Sequence, residues 1–263
     1  MFRYNPYISE SLELNLLALE QSQVPYEYIV FNDHGDENIF EDIKELVHKY
    51  KVTYVYSDIN YGKHKCRGGW IGAEKYITGD ILHYTDQDDI MTSLFYEYTY
   101  KTFLLNDESK FVSNRAFMVN EDLTFSDFSK QPVWAYNTKD EIKTVLRRCL
   151  GIKSPDYKIT GVWNPFYASG TVYKKELHDL IGLPDLDTFS GVGDFEYWLR
   201  MFYSGVLGEF INIPSWYWRI SQYSTSNEII DGHKNFGYWT DIGIDLIKQK
   251  YSKLLEENKE LFI

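Results

Sequence analysis

The 263-residue sequence predicts an α/β fold: a mostly parallel, Rossmann-like sheet with helices on both faces. Apolar, β-rich runs alternate with stretches of helical spacing from Leu12 to Leu105, and each run ends in a polar loop. The most acidic of these loops, Asp86-Gln87-Asp88-Asp89, directly follows such a run, the position at which open α/β sheets hold their ligands.

Leu12, Leu16, Leu17 and Leu19 give the first helix one apolar face, with Ser9 and Ser11 as capping candidates and Pro25 as its stop. Tyr26 to Phe31 reads as a strand ending at Asn32-Asp33-His34-Gly35, and Ile39 to Tyr50 as the next helix. The pattern repeats with a strand over Val52 to Tyr56, a turn at Asn60-Tyr61-Gly62, a helical stretch to about Ile77, and a strand over Ile81 to Thr85. Beyond the helix Ser93 to Leu105 the order turns α+β. Strands are expected over Phe111 to Val119, Phe166 to Tyr173 and Val206 to Ile213, and helices over Lys139 to Leu150 and Gly193 to Tyr203. Ile229 to Phe262 contains a charged helix expected to pack over the outside. With no linker or repeat, residues 1–263 are expected to form one domain: a ligand-binding half over 1–110, a second half over 111–228, and a C-terminal helical segment over 229–263.

The net charge of −12 argues against sequence-independent nucleic-acid binding, which neutralises phosphates with Lys and Arg. Two cysteines, Cys66 and Cys149, are too few for a disulfide framework and lack zinc spacing, so a reducing, cytoplasmic setting is expected. No run approaches the roughly 20 apolar residues that cross a bilayer, which leaves the chain at most membrane-peripheral. The 23 Tyr, 16 Phe and 7 Trp suit either an aromatic core or ring-stacking surfaces for sugars or bases.

Three carboxylates within four residues at the mouth of a sheet repel one another unless a cation neutralises them, and oxygen ligands suit Mg²⁺ or Mn²⁺. The same acids equally suit the amino-terminal cap of the helix that follows. Lys63, Lys65 and Arg67 form the densest basic cluster in an acidic chain, either pairing with phosphate or lying on a solvated helix face.

Taken in order, these segments resemble glycosyltransferase family 2 of the GT-A fold. Tyr26 to Asp33 is similar to the family's strand into a paired-acid loop, with Asn32 in place of the first acid. Asn60-Tyr61-Gly62 is similar to its Asn-x-Gly turn, and Gly79-Asp80 with Ile81 to Asp89 to its DxDD pattern. Gly193-Asp194-Phe195-Glu196-Tyr197-Trp198-Leu199-Arg200 is similar to its acidic pair and Trp-x-Arg helix, with Gly193 where the family often has Glu. Trp218-Arg219 and Ser224-Thr225-Ser226 are similar to its closing Tyr-Arg and Ser-x-Ser segment, with Ser221 where His is common.

The resemblance implies a metal-dependent, inverting glycosyltransferase that takes a nucleotide-diphosphate sugar, expected to be UDP-linked, and a glycan, glycolipid or glycoprotein acceptor. Asp33 and Tyr4 would contact the nucleotide base, Lys63 and Arg67 the diphosphate, Asp86 ribose or metal, and Asp88 the metal, Mn²⁺ or Mg²⁺. Asp194 would be the general base, with Glu196 as the fallback; Glu196, on another side of the same helix, is better placed to cap or to pair with an arginine. The family's first strand precedes its Tyr-Asn element, whereas here only Met1-Phe2-Arg3 precedes Tyr4-Asn5, so at most a stub of it is expected. Two other classes suit the same sheet plan: a catalytically degenerate binding module, and a sugar nucleotidyltransferase. Residues 1–15 contain no glycine, which counts against the phosphate loop the latter needs.

Overall fold

The computed structural model describes residues 5–36, 38–61, 68–129, 136–150, 164–185, 192–223, 229–230, 233–234, 243–251 and 253. In chain order the elements are α1 (Ile8–Ser22), β1 (Ile29–Asn32), α2 (Ile39–Tyr50), β2 (Thr53–Tyr56), α3 (Gly69–Gly72), β3 (Ile81–His83), β4 (Ile90–Met91) and α4 (Ser93–Leu105). Then follow β5 (Phe111–Val119), β6 (Phe125–Phe128), α5 (Lys139–Cys149), β7 (Thr171–Lys174), α6 (Glu176–Ile181), α7 (Gly193–Tyr203), β8 (Gly208–Arg219), β9 (Ile229–Ile230) and β10 (His233–Lys234). Residues 243–251 are helical.

The α/β architecture expected from the alternation is present, but the sheet is mixed rather than mostly parallel. β1 and β2 pair in parallel, as a strand-helix-strand crossover dictates. The main sheet runs β3-β7-β5-β8-β4 with β6 on the outer side of β5, and within it only β5 and β8 are parallel. Periodicity identifies strands without revealing their neighbours, and the antiparallel partners of β3 and β5 come from the second half of the chain.

Alternation along the strands sends neighbouring residues into different cores. Phe111 and Tyr173 join the aromatic cluster under α5 and α7, with Phe166, Trp198 and Phe202. Val112, Ala116, Val172 and Trp216 face the cluster of α4. A third cluster lies between α1, α2 and the β1–β2 pair, built on Leu12, Leu16, Ile39 and Ile43.

Several local expectations change. Neither Ser9 nor Ser11 caps α1: its cap is Tyr7, without a side-chain bond, and Ser11 is buried inside the helix. Between Gly68 and Ile77 the helical stretch is only the short α3 and a 3₁₀ turn at Glu74–Tyr76. The strand expected from Phe166 begins later, at Thr171, after a 3₁₀ turn at Ala168–Gly170. β8 runs on to Arg219, beyond Ile213, and β6 and α6 were not anticipated. Among the described residues no helix is long and apolar enough to cross a membrane.

Candidate functional site

The acidic loop leaves β3 at the mouth of the sheet, and each of its residues is fixed by a different element. Ser169 Oγ accepts from the Asp86 backbone N–H at 3.1 Å. Ser169 is itself held by His83, whose Nε2 lies 2.7 Å from its carbonyl. Burial pushes the His83 imidazole down to about 4, so it is neutral at neutral pH and Nε2–H donates. Asn15 of α1 donates to the Asp89 carbonyl at 3.0 Å and accepts from the Met91 N–H, clamping the loop's exit.

The cap alternative fails here. Thr92 caps α4, its hydroxyl accepting from Phe95 N–H, while Asp89 Oδ1 accepts from the Arg219 backbone N–H at 3.3 Å. The acids are therefore free of the helix-capping role the sequence allowed.

Asp86 is exposed, whereas Asp88 and Asp89 are buried at 8% and 3% exposure. Burial, reinforced by the Asp86 charge, lifts the Asp88 carboxyl to about 6 despite a hydrogen bond from Asn5 and the nearby Arg219 cation. Burial and the charges of Asp88 and Asp86 push Asp89 well above the carboxylate range, against a Ser169 hydrogen bond. Oxygen donors that resist ionisation alone are what a hard dication would relieve. Among the described residues no three His, Cys, Asp or Glu side chains form a ready cage. Asp86 and Asp88, one exposed and one buried, suit an ion of the Mg²⁺ type, which one or two carboxylates hold with phosphates and water completing its shell.

Arg219 stands against this loop, fully buried. Its Nη2 donates to Glu10 at 2.6 Å and its guanidinium lies 4.2 Å from the Tyr7 ring centroid. Nε and Nη1 are buried with no hydrogen-bond partner among the described residues. Glu121, in the β5–β6 turn, binds the Gln222 N–H and the Tyr7 hydroxyl, closing the rim.

Asp33 follows β1 and is buried, with Oδ1 accepting from the Tyr61 N–H at 2.8 Å, so it joins the Asn60-Tyr61 turn. Asn32, at the family's first-acid position, has structural work: it binds the Gly35 N–H, the Asp36 carbonyl and the Tyr54 hydroxyl. Asp194 sits in the first turn of α7, with Asn164 donating to Oδ2 at 3.3 Å. Glu196 is fully buried and taken up by Arg200 at 2.8 Å, Lys250 at 2.7 Å and the Tyr251 hydroxyl at 2.9 Å, in keeping with the arginine pairing expected for it. Tyr4, Lys63, Lys65 and Arg67 lie outside the described residues. The structure thus gathers Asp86 and Asp88 with Asn5 and Arg219, and adds Asn15, Ser169 and Tyr7, which no motif flagged.

Fold and site together place the chain in the GT-A class of glycosyltransferase folds. By sequence it is 25% identical over 180 residues to the uncharacterized glycosyltransferase YwdF of Bacillus subtilis strain 168, a match covering 68% of this chain and 58% of YwdF. Residues 1–349 of S. aureus TarS in complex with UDP-GlcNAc superpose with a TM-score of 0.57 at 12% identity, over 93% of this chain and 70% of that one. A longer TarS chain superposes with the same TM-score of 0.57 at 13% identity, over 82% of this chain and 35% of its own length. GalNAc-T7 with UDP, GalNAc and Mn²⁺ gives 0.55 at 13% identity, over 88% of this chain and 45% of that one. The chain therefore spans a little over half of YwdF and about a third of the longer TarS chain. No protein-family model matches the sequence.

Proposed function

We propose that this chain is the catalytic domain of a family 2 glycosyltransferase. In this reading it moves a sugar, with inversion, from a UDP-linked donor to a hydroxyl of a glycan or glycoconjugate. The observation that carries the reading is the buried Asp88-Asp89 pair with exposed Asp86 at the mouth of a GT-A sheet, since those carboxylates call for a cation where the donor diphosphate would lie.

Asp33, with Tyr4, would hold the base, while Lys63 and Arg67 would grip the diphosphate. Asp88, assisted by Asp86, would hold Mn²⁺ or Mg²⁺, which when bound supplies charge neutralisation for the departing diphosphate. Asp194 would take the acceptor hydroxyl's proton as its oxygen bonds to the anomeric carbon and the bond to the diphosphate breaks, the electron pair leaving with the diphosphate. A cytoplasmic, at most membrane-peripheral, setting belongs to the same reading.

Calorimetry with UDP, GDP and dTDP sugars in the presence of Mn²⁺, followed by donor-hydrolysis assays, tests it. UDP-sugar binding lost in Asp88→Ala is expected. Asp194→Asn should retain donor binding while kcat falls by about 10²–10⁴. Wild-type protein that neither binds nor hydrolyses any of these donors rules the transferase out. Glycan binding without turnover, unchanged in both variants, identifies a binding module instead.

A further inference from the structure

The outer end of the main sheet carries a row of rings that no core absorbs. Phe128 of β6, Phe117 of β5 and Tyr217 of β8 are direct cross-strand partners. Phe117 lies 5.6 Å from Phe128 and 5.5 Å from Tyr217, the latter pair stacked at 25°. Phe125 extends the row, 5.1 Å from Phe128. Phe125 and Phe128 are 57% and 44% exposed, and the other two rings are half-buried.

Position gives this row its meaning. Val112 and Ala116 face the α4 core, so alternation puts Phe117 on the opposite face, the one that Phe111 shares with α7. That is the helix bearing Asp194. The same strands run on into the acidic site: two residues past Tyr217, Arg219 binds Asp89, and Val119, two past Phe117, pairs with Arg219. Two strand residues span about 7 Å, roughly one sugar ring.

Polar groups border the rings. The Arg115 guanidinium lies 5.8 Å from the Phe128 centroid and its Nη1 donates to Asn212 at 3.0 Å. Its Nε is buried without a hydrogen-bond partner among the described residues. Flat rings flanked by a fixed guanidinium and an amide match a sugar chain, whose axial C–H faces stack on π-clouds while its hydroxyls take the N–H donors.

We propose that Phe117, Phe125, Phe128 and Tyr217, with Arg115 and Asn212, form an extended acceptor platform that binds the oligosaccharide portion of the acceptor, beginning about one sugar unit from the acidic site. This rests on the transferase reading and names where its acceptor lies.

The test is an array of defined oligosaccharides and glycoconjugates, followed by calorimetry with the best binder. Wild type is compared with Phe125→Ser/Phe128→Ser, two exposed changes whose folding is checked by circular dichroism and by UDP binding with Mn²⁺. The expected result is at least tenfold weaker oligosaccharide binding and a raised acceptor KM, with kcat on a short acceptor and UDP affinity unchanged. Oligosaccharide affinity within twofold of wild type in the double variant overturns the platform. So does wild-type protein that binds UDP but no oligosaccharide, or self-association that the double variant abolishes. Wild-type protein that binds oligosaccharides through these rings but neither UDP nor any donor overturns the transferase reading alone.

Discussion

Asp88 carries the effect of its surroundings in its own energetics. Its carboxyl is lifted from the ordinary 3.8 to about 6 in the folded protein, so the native state binds more protons than the unfolded one between those values. The contribution of this group to the stability of the ion-free protein is therefore fully present below about pH 4 and is lost as pH rises through about 6. Mn²⁺ should reverse the decline, raising Tm more near neutrality than in acid because ion and proton compete for the same oxygens. Thermal denaturation of wild type and Asp88→Asn across that range, with and without Mn²⁺, checks this: the amide variant should show a shallower pH slope, the remainder coming from Asp89, and a lost Mn²⁺ response. Glu196 makes the opposite case. It is buried against Arg200, Lys250 and Tyr251, and Glu196→Ala should cost about 3–5 kcal/mol in denaturant unfolding by stranding its partners. The acidic loop was legible in the sequence because its carboxylates are contiguous and follow a strand. Asn15 and Ser169 were not, since one is a helix residue 74 positions from its partner Asp89 and the other lies 83 positions from Asp86.

At the scale of elements, the site depends on tight packing behind it. Gly170 follows Ser169, and a Cβ there would lie 2.7 Å from the Trp216 Nε1, whose indole is buried and bonded to the Asn114 carbonyl at 3.0 Å. Neither neighbour can yield cheaply. Gly170→Ala should destabilise by about 1–3 kcal/mol and, by moving Ser169, weaken Mn²⁺-dependent nucleotide binding several-fold, measured by Tm and calorimetry together. Elements with strong periodicity, α2 and α5 above all, are legible to within a residue, since one buried face fixes them. β6 escaped because all four of its residues are exposed and alternation has no buried face to mark. The C-terminal helix was placed, but its docking through Glu196 to α7 was not, as no local pattern reports a contact 54 residues away.

For the whole molecule, the sequence conveyed the α/β class and the order of the site's segments, while the mixed strand order emerged only from pairing across distant stretches. One consequence follows from the division into two ladders. Among the described residues no backbone ladder joins β1–β2 to the larger sheet; Tyr26 and Tyr28 pack against the α4 cluster, and the polar tie is Glu27, which accepts from the Thr78 and Gly79 N–H groups and the Thr78 hydroxyl. Burial raises the Glu27 carboxyl, but those bonds outweigh it and hold it below its ordinary value, so the clasp is intact at neutral pH and fails as the solution turns acid. The molecule thus has a seam. Hydrogen exchange should show β1 and β2 opening as a unit before β5 and β8, with the gap between them widening in acid or in Glu27→Gln. Asp33 rides on the looser side of that seam and the acidic loop on the firmer side, so a ligand touching both would act as a rivet, and its binding should be read out as slowed exchange in strands it never contacts.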